Sequence, residues 1–401
     1  MGSLPVSDMT TKFDGIAVLL TSLKTTTLTT TVKARRGWAN WGCSTCIQRR
    51  KSPWLSTSLY ATLLILIIYQ MFVLGRIHIG IVNSIDPPLE SDAGSAHSNP
   101  VTVPNVLLVG AQKAGTTAVA SWLFSAHKFC KAQTFDNEPR WYDKEVHFFN
   151  NHNKRFERGA EFYARRFAHC DMSDMVMDAT PNYATHAIRI GNFYRQLPPN
   201  LHSNQSTASS HEGRLQSLKV MMILREPVSR ELSKYNHMKD NEVNGGDTWG
   251  VALTFNRSFD EYINAELLNQ TKTRISRSGQ CVGALCFSLY SELLKQWFEI
   301  INRDQMLLLS YQELKSDPTT FMERIEKFLG LPPHKANATL KSSNVKSFAG
   351  KSSLPSCWSR DKLADIFQPF NKELYALLEQ RPGPPMEQRP FPEFQIAECN
   401  N

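Results

Sequence analysis

Val106-Leu107-Leu108-Val109-Gly110-Ala111-Gln112-Lys113-Ala114-Gly115-Thr116-Thr117, running on as Ala118-Val119-Ala120-Ser121-Trp122-Leu123, is the stretch around which the chain is organised. Four successive apolar residues ending at a glycine read as a buried strand. The Ala/Val/Trp/Leu run beyond has helical spacing. Between them lies a short loop with two Gly, one Lys and two Thr. Strand, glycine turn and helix start together form an anion cradle, because backbone N–H groups and the positive end of the helix dipole converge on one spot.

Gly110 and Gly115 have the separation of the nucleoside-triphosphate loop, G-x-x-x-x-G-K-[ST]. The residue after Gly115 is Thr116, however, and the basic residue is Lys113, inside the loop. That shift argues against an ordinary ATPase or GTPase.

The 401 residues carry a formal charge of +8, which resembles a nucleic-acid or anionic-surface signal until it is located. Lys12, Lys24, Lys33, Arg35, Arg36, Arg49, Arg50 and Lys51 face only Asp8 and Asp14 in the first 51 residues, so the surplus belongs mostly to this tail. A nucleic-acid partner is therefore not expected. The reason for the tail follows it. Residues 52–75 hold no charged side chain and include Leu63-Leu64-Ile65-Leu66-Ile67-Ile68. A bilayer core needs roughly 20 apolar residues in a helix. Arg49-Arg50-Lys51 directly before the run, against Arg76 alone after it, put the N-terminus in the cytosol. The expected layout is a basic Thr-rich tail (1–51), a single-pass type II anchor (54–75), a stem (76–103), a globular domain (104–380) and a Pro-rich C-terminal tail (381–401).

Of eight cysteines, Cys43 and Cys46 fall on the cytosolic side of this layout. Cys130, Cys170, Cys281, Cys286, Cys357 and Cys399 would face an oxidising lumen, and the short interval makes Cys281–Cys286 the expected disulfide. Sequons beginning at Asn204, Asn256, Asn269 and Asn337 agree with a luminal glycoprotein. No metal site is expected.

Along the domain, apolar strands are expected at 106–109, 175–179, 219–224 and 306–309, with a further one at 129–133. Helices are expected at 116–125, 156–167, 184–197, 227–238, 259–268, 288–301 and 359–378, with one more after Asp317-Pro318; residues 198–216 read as a polar inserted loop. Strands alternating with helices indicate an α/β fold, a parallel sheet with helices on both faces. Ligands of such sheets sit at the C-terminal ends of the strands, where Gly110, Thr180 and Arg225 fall.

The second informative stretch is Leu224-Arg225-Glu226-Pro227-Val228-Ser229-Arg230-Glu231-Leu232-Ser233. An Arg at a strand end with a Ser in the following helix can clamp a phosphate by ion pairing and a hydroxyl hydrogen bond. Together the Lys113 loop and this segment resemble the 5′-phosphosulfate loop and the 3′-phosphate motif of sulfotransferases that use 3′-phosphoadenosine 5′-phosphosulfate (PAPS). Lys144-Glu145-Val146-His147-Phe148-Phe149, Asp178-Ala179-Thr180-Pro181-Asn182-Tyr183 and Tyr311-Gln312-Glu313-Leu314 before Asp317-Pro318 are similar to further segments of that family, closest to its membrane-bound heparan sulfate 3-O- and N-sulfotransferases.

The resemblance implies a P-loop-like sheet, PAPS as co-substrate and a carbohydrate acceptor. It implies Golgi membranes with a luminal catalytic domain. It further implies Lys113, Ala114, Gly115, Thr116 and Thr117 around the phosphosulfate, and Arg225 and Ser233 on the 3′-phosphate. Glu145 becomes the base that takes the acceptor proton, His147 its supporting acid/base or hydrogen-bond partner, and Lys113 the cation facing the leaving phosphate. Asp178 ranks behind Glu145, as an acceptor ligand or as support for Lys113. Lys351, in Phe348-Ala349-Gly350-Lys351-Ser352-Ser353-Leu354-Pro355, occupies the region of a family cofactor turn, but without the flanking Cys pair. Two other readings of the chain are a catalytically silent glycan-binding protein on the same fold and a P-loop nucleotide kinase.

Overall fold

The computed structural model describes residues 101–396, apart from 136–137, 151, 172, 198–200, 203–210, 245–253, 269–273, 276–280, 335–339 and 341–354. The expected tail and the anchor at 54–75 lie outside these residues, as do Lys351 and the side chain of Cys281. Among the described residues no helix is long and apolar enough to cross a membrane.

At the centre is a parallel sheet of four strands: β1 (Val106–Gly110), β2 (Met177–Asp178), β3 (Lys219–Leu224) and β4 (Met306–Ser310), in the order β2-β1-β3-β4. Every residue of β1 and β4 is buried, and in β3 only Lys219 is not. Strands covered on both faces lose the polar alternation of a half-exposed sheet, which is why they read as unbroken Val/Leu/Met/Ile runs. The core formed around them takes in Val119, Leu123, Ile190, Trp297 and Phe321 from the surrounding helices and Phe149 from a turn.

The chain leaves β1 for β2 on one side, then crosses back over β1 to β3 and on to β4. Right-handed crossovers in opposite directions place their helices on opposite faces of the sheet. The reversal opens a crevice between the C-terminal ends of β1 and β3, the place where open α/β sheets bind ligands.

The helices are α1 (Thr116–Ala126), α2 (Gly159–Arg165), α3 (Ala187–Gln196), α4 (His211–Ser217), α5 (Pro227–Asn244), α6 (Phe259–Leu268), α7 (Tyr290–Ile300), α8 (Tyr311–Ser316), α9 (Pro318–Leu329) and α10 (Cys357–Gln380). Most agree with the expected spans. Two regions differ. The strand expected at 129–133 reduces to a single bridge, Cys130 to Val176. The 198–216 segment contains α4 and a two-residue strand, Leu201–His202, paired with Val101–Thr102. Tertiary contacts hold α4: Leu215 and Leu218 are buried, and Gln305 donates to both of their carbonyls, at 2.7 and 2.9 Å. A seven-residue helix with one buried leucine shows no periodicity to read.

Residues 381–396 have no helix or strand, yet they close one edge of the core. The buried Glu387 carboxylate accepts the Leu308 amide of β4 at 2.8 Å and pairs with Arg303, while the Phe394 amide donates to Tyr375 Oη at 2.7 Å.

Cys130 and Cys170 form a disulfide, a pairing that their 40-residue separation does not reveal. Cys286 and Cys357 are each engaged in a disulfide as well, and the expected partner of Cys286, Cys281, has its side chain outside the described residues.

Candidate active site

The loop after β1 is shaped by its backbone. The Ala111 amide donates to Ile223 O at 2.8 Å, tying the loop to β3, and the Ala114 amide donates back to Ala111 O at 3.1 Å. Lys113 and Gly115 both have positive φ, +71° and +89°. Gly115 is the N-cap of α1, and no side chain caps that helix. The first-turn amides of a helix have no intrahelical partner, so this terminus keeps N–H groups and a positive dipole end for an anion. The α5 N-terminus differs, because Glu226 accepts the amides of Val228 and Ser229, both at 2.7 Å. Its own carboxylate fills that cradle.

Across the crevice, Arg225 follows the last residue of β3. Its Nη1 donates to Lys113 O at 2.8 Å, its Nε donates to Ser229 Oγ at 3.2 Å, and its guanidinium lies 4.6 Å from the Tyr311 ring centroid. Tyr290 Oη anchors the main chain by donating to Arg225 O at 2.9 Å. Burial pulls the guanidinium below its ordinary pKa, while Tyr311 and Tyr290 act the other way. An arginine retains its charge through such a change. The two basic residues at the sheet's switch point are thus in direct contact. Ser229 is the hydroxyl that holds Arg225; Ser233 lies one turn further along α5, half-buried.

The third part comes from β2. Asp178, at its end, is fully buried. It accepts from Thr180 Oγ1 (2.6 Å), Tyr183 Oη (2.8 Å), Tyr163 Oη (3.0 Å) and the Val146 amide (3.4 Å). Thr180 Oγ1 in turn accepts the His147 amide at 3.2 Å, and Tyr183 Oη the Phe148 amide at 2.8 Å. One carboxylate, directly and through two hydroxyls, therefore fixes three consecutive amides. Burial raises its pKa, with these hydrogen bonds opposing. Fully buried, Asp178 is not available to an acceptor; it positions the segment carrying Glu145.

On that segment His147 Nε2 lies 3.2 Å from Glu145 Oε2. Asn150 Nδ2 lies 2.9 Å from His147 Nδ1, and as a donor there it leaves the imidazole proton on Nε2, facing the carboxylate. Lys144 Nζ pairs with Glu145 Oε1 and also donates to Thr117 Oγ1 at 2.9 Å. Burial pushes the Glu145 carboxyl up, but the His147 hydrogen bond and the Lys144 charge outweigh it, and the pKa falls below the ordinary value. The carboxylate stays ionised and is physically linked to the first turn of α1.

The structure thus gathers Lys113, Ala114, Gly115, Thr116, Thr117, Arg225, Glu145 and His147 at one end of the sheet. Sequence reasoning missed Lys144, Ser229 and Tyr311 as site residues. Lys144 stands beside Glu145 in the quoted segment, and that adjacency was the signal. The contact of Tyr311 with Arg225 spans 86 positions and leaves none.

Fold and site together define a parallel α/β domain with an anion cradle and an ionised carboxylate at its switch point. The chain belongs to the sulfotransferase domain family, which matches residues 103–365. It is 27% identical over 254 residues to the bifunctional heparan sulfate N-deacetylase/N-sulfotransferase 4 of Mus musculus, covering 63% of this chain and 25% of that protein. It is 21% identical over 294 residues to the mouse heparan sulfate glucosamine 3-O-sulfotransferase 5, covering 69% of this chain and 72% of the other. The chain spans about a quarter of the length of the N-deacetylase/N-sulfotransferase 4 it matches. A sulfotransferase from Alicyclobacillus acidocaldarius superposes with a TM-score of 0.47 at 20% identity, over 69% of this chain and 96% of that one.

Proposed function

We propose that this chain moves a sulfuryl group from PAPS to a hydroxyl or amine of a carbohydrate acceptor, in the manner of the heparan sulfate sulfotransferases it resembles. The observation that carries this reading is the 2.8 Å contact between Arg225 and Lys113 O at the switch point, beside an uncapped helix N-terminus. The residues present fit a donor with two anionic ends. Lys113, Gly115, Thr116 and Thr117 would hold the 5′ end, and Arg225, after β3, would hold the 3′-phosphate together with Ser233 of α5.

PAPS supplies an activated sulfuryl group carried on a phosphate. The chain supplies position and charge, which provide most of the rate in transfers of this kind. Glu145 accepts the acceptor's proton as the new bond to sulfur forms, and His147 keeps the carboxylate oriented. The sulfur–oxygen bond to the 5′-phosphate breaks, and Lys113 offsets the charge that grows on the departing oxygen. Adenosine 3′,5′-bisphosphate leaves.

In the same reading the catalytic domain, 104–380, sits in the Golgi lumen on a single-pass type II anchor at 54–75. The uncharged run behind Arg49-Arg50-Lys51 supports that placement. Protease protection in sealed microsomes tests it.

Retention on immobilised adenosine 3′,5′-bisphosphate, with labelled-PAPS transfer to a panel of polysaccharides, tests the chemistry. Wild type is expected to be retained, and Lys113→Ala and Arg225→Ala to elute early. Glu145→Gln is expected to lose transfer by at least about 100-fold while still binding the bisphosphate. A wild-type protein that ignores the bisphosphate sinks the assignment.

A further inference from the structure

Trp141 is 43% exposed, although an indole is among the most costly side chains to leave in water. It is nonetheless held rigidly. Its ring packs against that of Tyr142, tilted by 37° with centroids 3.9 Å apart, and Tyr142 is buried. The Arg155 guanidinium sits 3.6 Å from the Tyr142 centroid. Arg155 is itself tied to Glu138 at 2.8 Å and to Val146 O. The Trp141 carbonyl accepts the amides of Lys144 and Glu145, at 3.3 and 3.1 Å. Arg155 and Trp141 thus both pack on Tyr142, and the Trp141 ring is left partly open to solvent.

Its location gives that open ring a use. Trp141 meets His147 edge-on, with centroids 5.3 Å apart at 90°, and His147 is bound to Glu145. His152 packs on the same imidazole at 5.5 Å. An aromatic platform therefore lies one imidazole away from the ionised carboxylate. A pyranose ring presents axial C–H groups on a face and hydroxyls around its rim. The C–H face packs on a π surface through many weak contacts, and the rim hydroxyls then point sideways to polar groups.

We infer that Trp141 is the stacking platform for a pyranose ring of the acceptor and directs a rim hydroxyl or amine toward Glu145. A platform preorganised by Tyr142 and Arg155 binds with little ordering cost. Calling that sugar the acceptor rests on the sulfotransferase reading; the stacking itself does not.

Binding of a heparan sulfate-derived hexasaccharide by calorimetry, with adenosine 3′,5′-bisphosphate titrated separately, tests the inference. Trp141→Ala is expected to weaken the hexasaccharide about tenfold with bisphosphate affinity unchanged, and Trp141→Phe to retain part of the affinity through its smaller ring. In transfer assays the loss is expected in KM for the saccharide rather than in kcat. Wild-type affinity in Trp141→Ala overturns the platform, as does a wild type that binds no saccharide. Loss of bisphosphate binding in both variants also overturns it, because Trp141 is then a general structural support. A wild type that binds saccharide through Trp141 but ignores the bisphosphate keeps the platform and refutes the transferase.

Discussion

Lys144 is the residue whose meaning changes most between sequence and structure. Its ammonium joins the Glu145 carboxylate to Thr117 Oγ1, so in the proposed reading the base and the donor cradle share one cation. That charge, together with the His147 hydrogen bond, holds the Glu145 pKa below its usual value against the effect of burial. A depressed carboxyl pKa means stability and a competent base above the unfolded pKa, both lost as pH falls through the folded one. Lys144→Met is expected to raise the Glu145 pKa, moving the acid limb of the kcat/KM profile to higher pH. The alkaline limb is expected to stay in place. A pH–rate profile of the variant with an unmoved acid limb would show that Lys144 does not tune the base.

At the scale of elements, the β1 loop and α1 depend on Gly115. Its φ of +89° is a conformation that side-chain-bearing residues rarely adopt, and a Cβ there would lie 2.5 Å from Leu314 Cδ2. The leucine tip can give way, so the backbone strain dominates. Gly115→Ala is expected to cost roughly 1–3 kcal/mol, read as a lower urea midpoint, with bisphosphate retention weakened. An unchanged midpoint would show that the turn relaxes without penalty. The 145–148 segment is an element of a different kind. It is neither helix nor strand, and its shape comes from Asp178, Thr180 and Tyr183, 32 to 35 positions further along the chain than the amides they hold.

For the whole molecule, the Cys130–Cys170 disulfide closes a loop of 40 residues that contains Glu138, Trp141, Glu145 and His147. Closing such a loop restricts the unfolded chain, and by the chain-entropy relation its removal costs roughly 4 kcal/mol. Cys130→Ser/Cys170→Ser is expected to lose about that much in urea unfolding, with hexasaccharide affinity affected more than bisphosphate affinity. A double variant as stable as wild type would show that packing alone holds the loop. The strand runs, the Gly115 turn and most helix spans were legible locally, because burial on both faces and helical spacing leave their mark within a few residues. Residues such as Gln305 supporting α4 and Glu387 accepting the β4 amide were not. By itself the sequence determined the β1–loop–α1 turn and the parallel α/β class, and its family resemblance pointed to Lys113, Glu145, His147 and Arg225 as one candidate site. Only the tertiary structure decided that Arg225 leans on the Lys113 carbonyl, that Asp178 is an internal anchor, that Lys144 links Glu145 to Thr117 and that Trp141 lies against His147. The physical reason is range: propensity and periodicity act between neighbours in the chain, whereas hydrogen bonds and ring contacts join residues that only the folded sheet brings together.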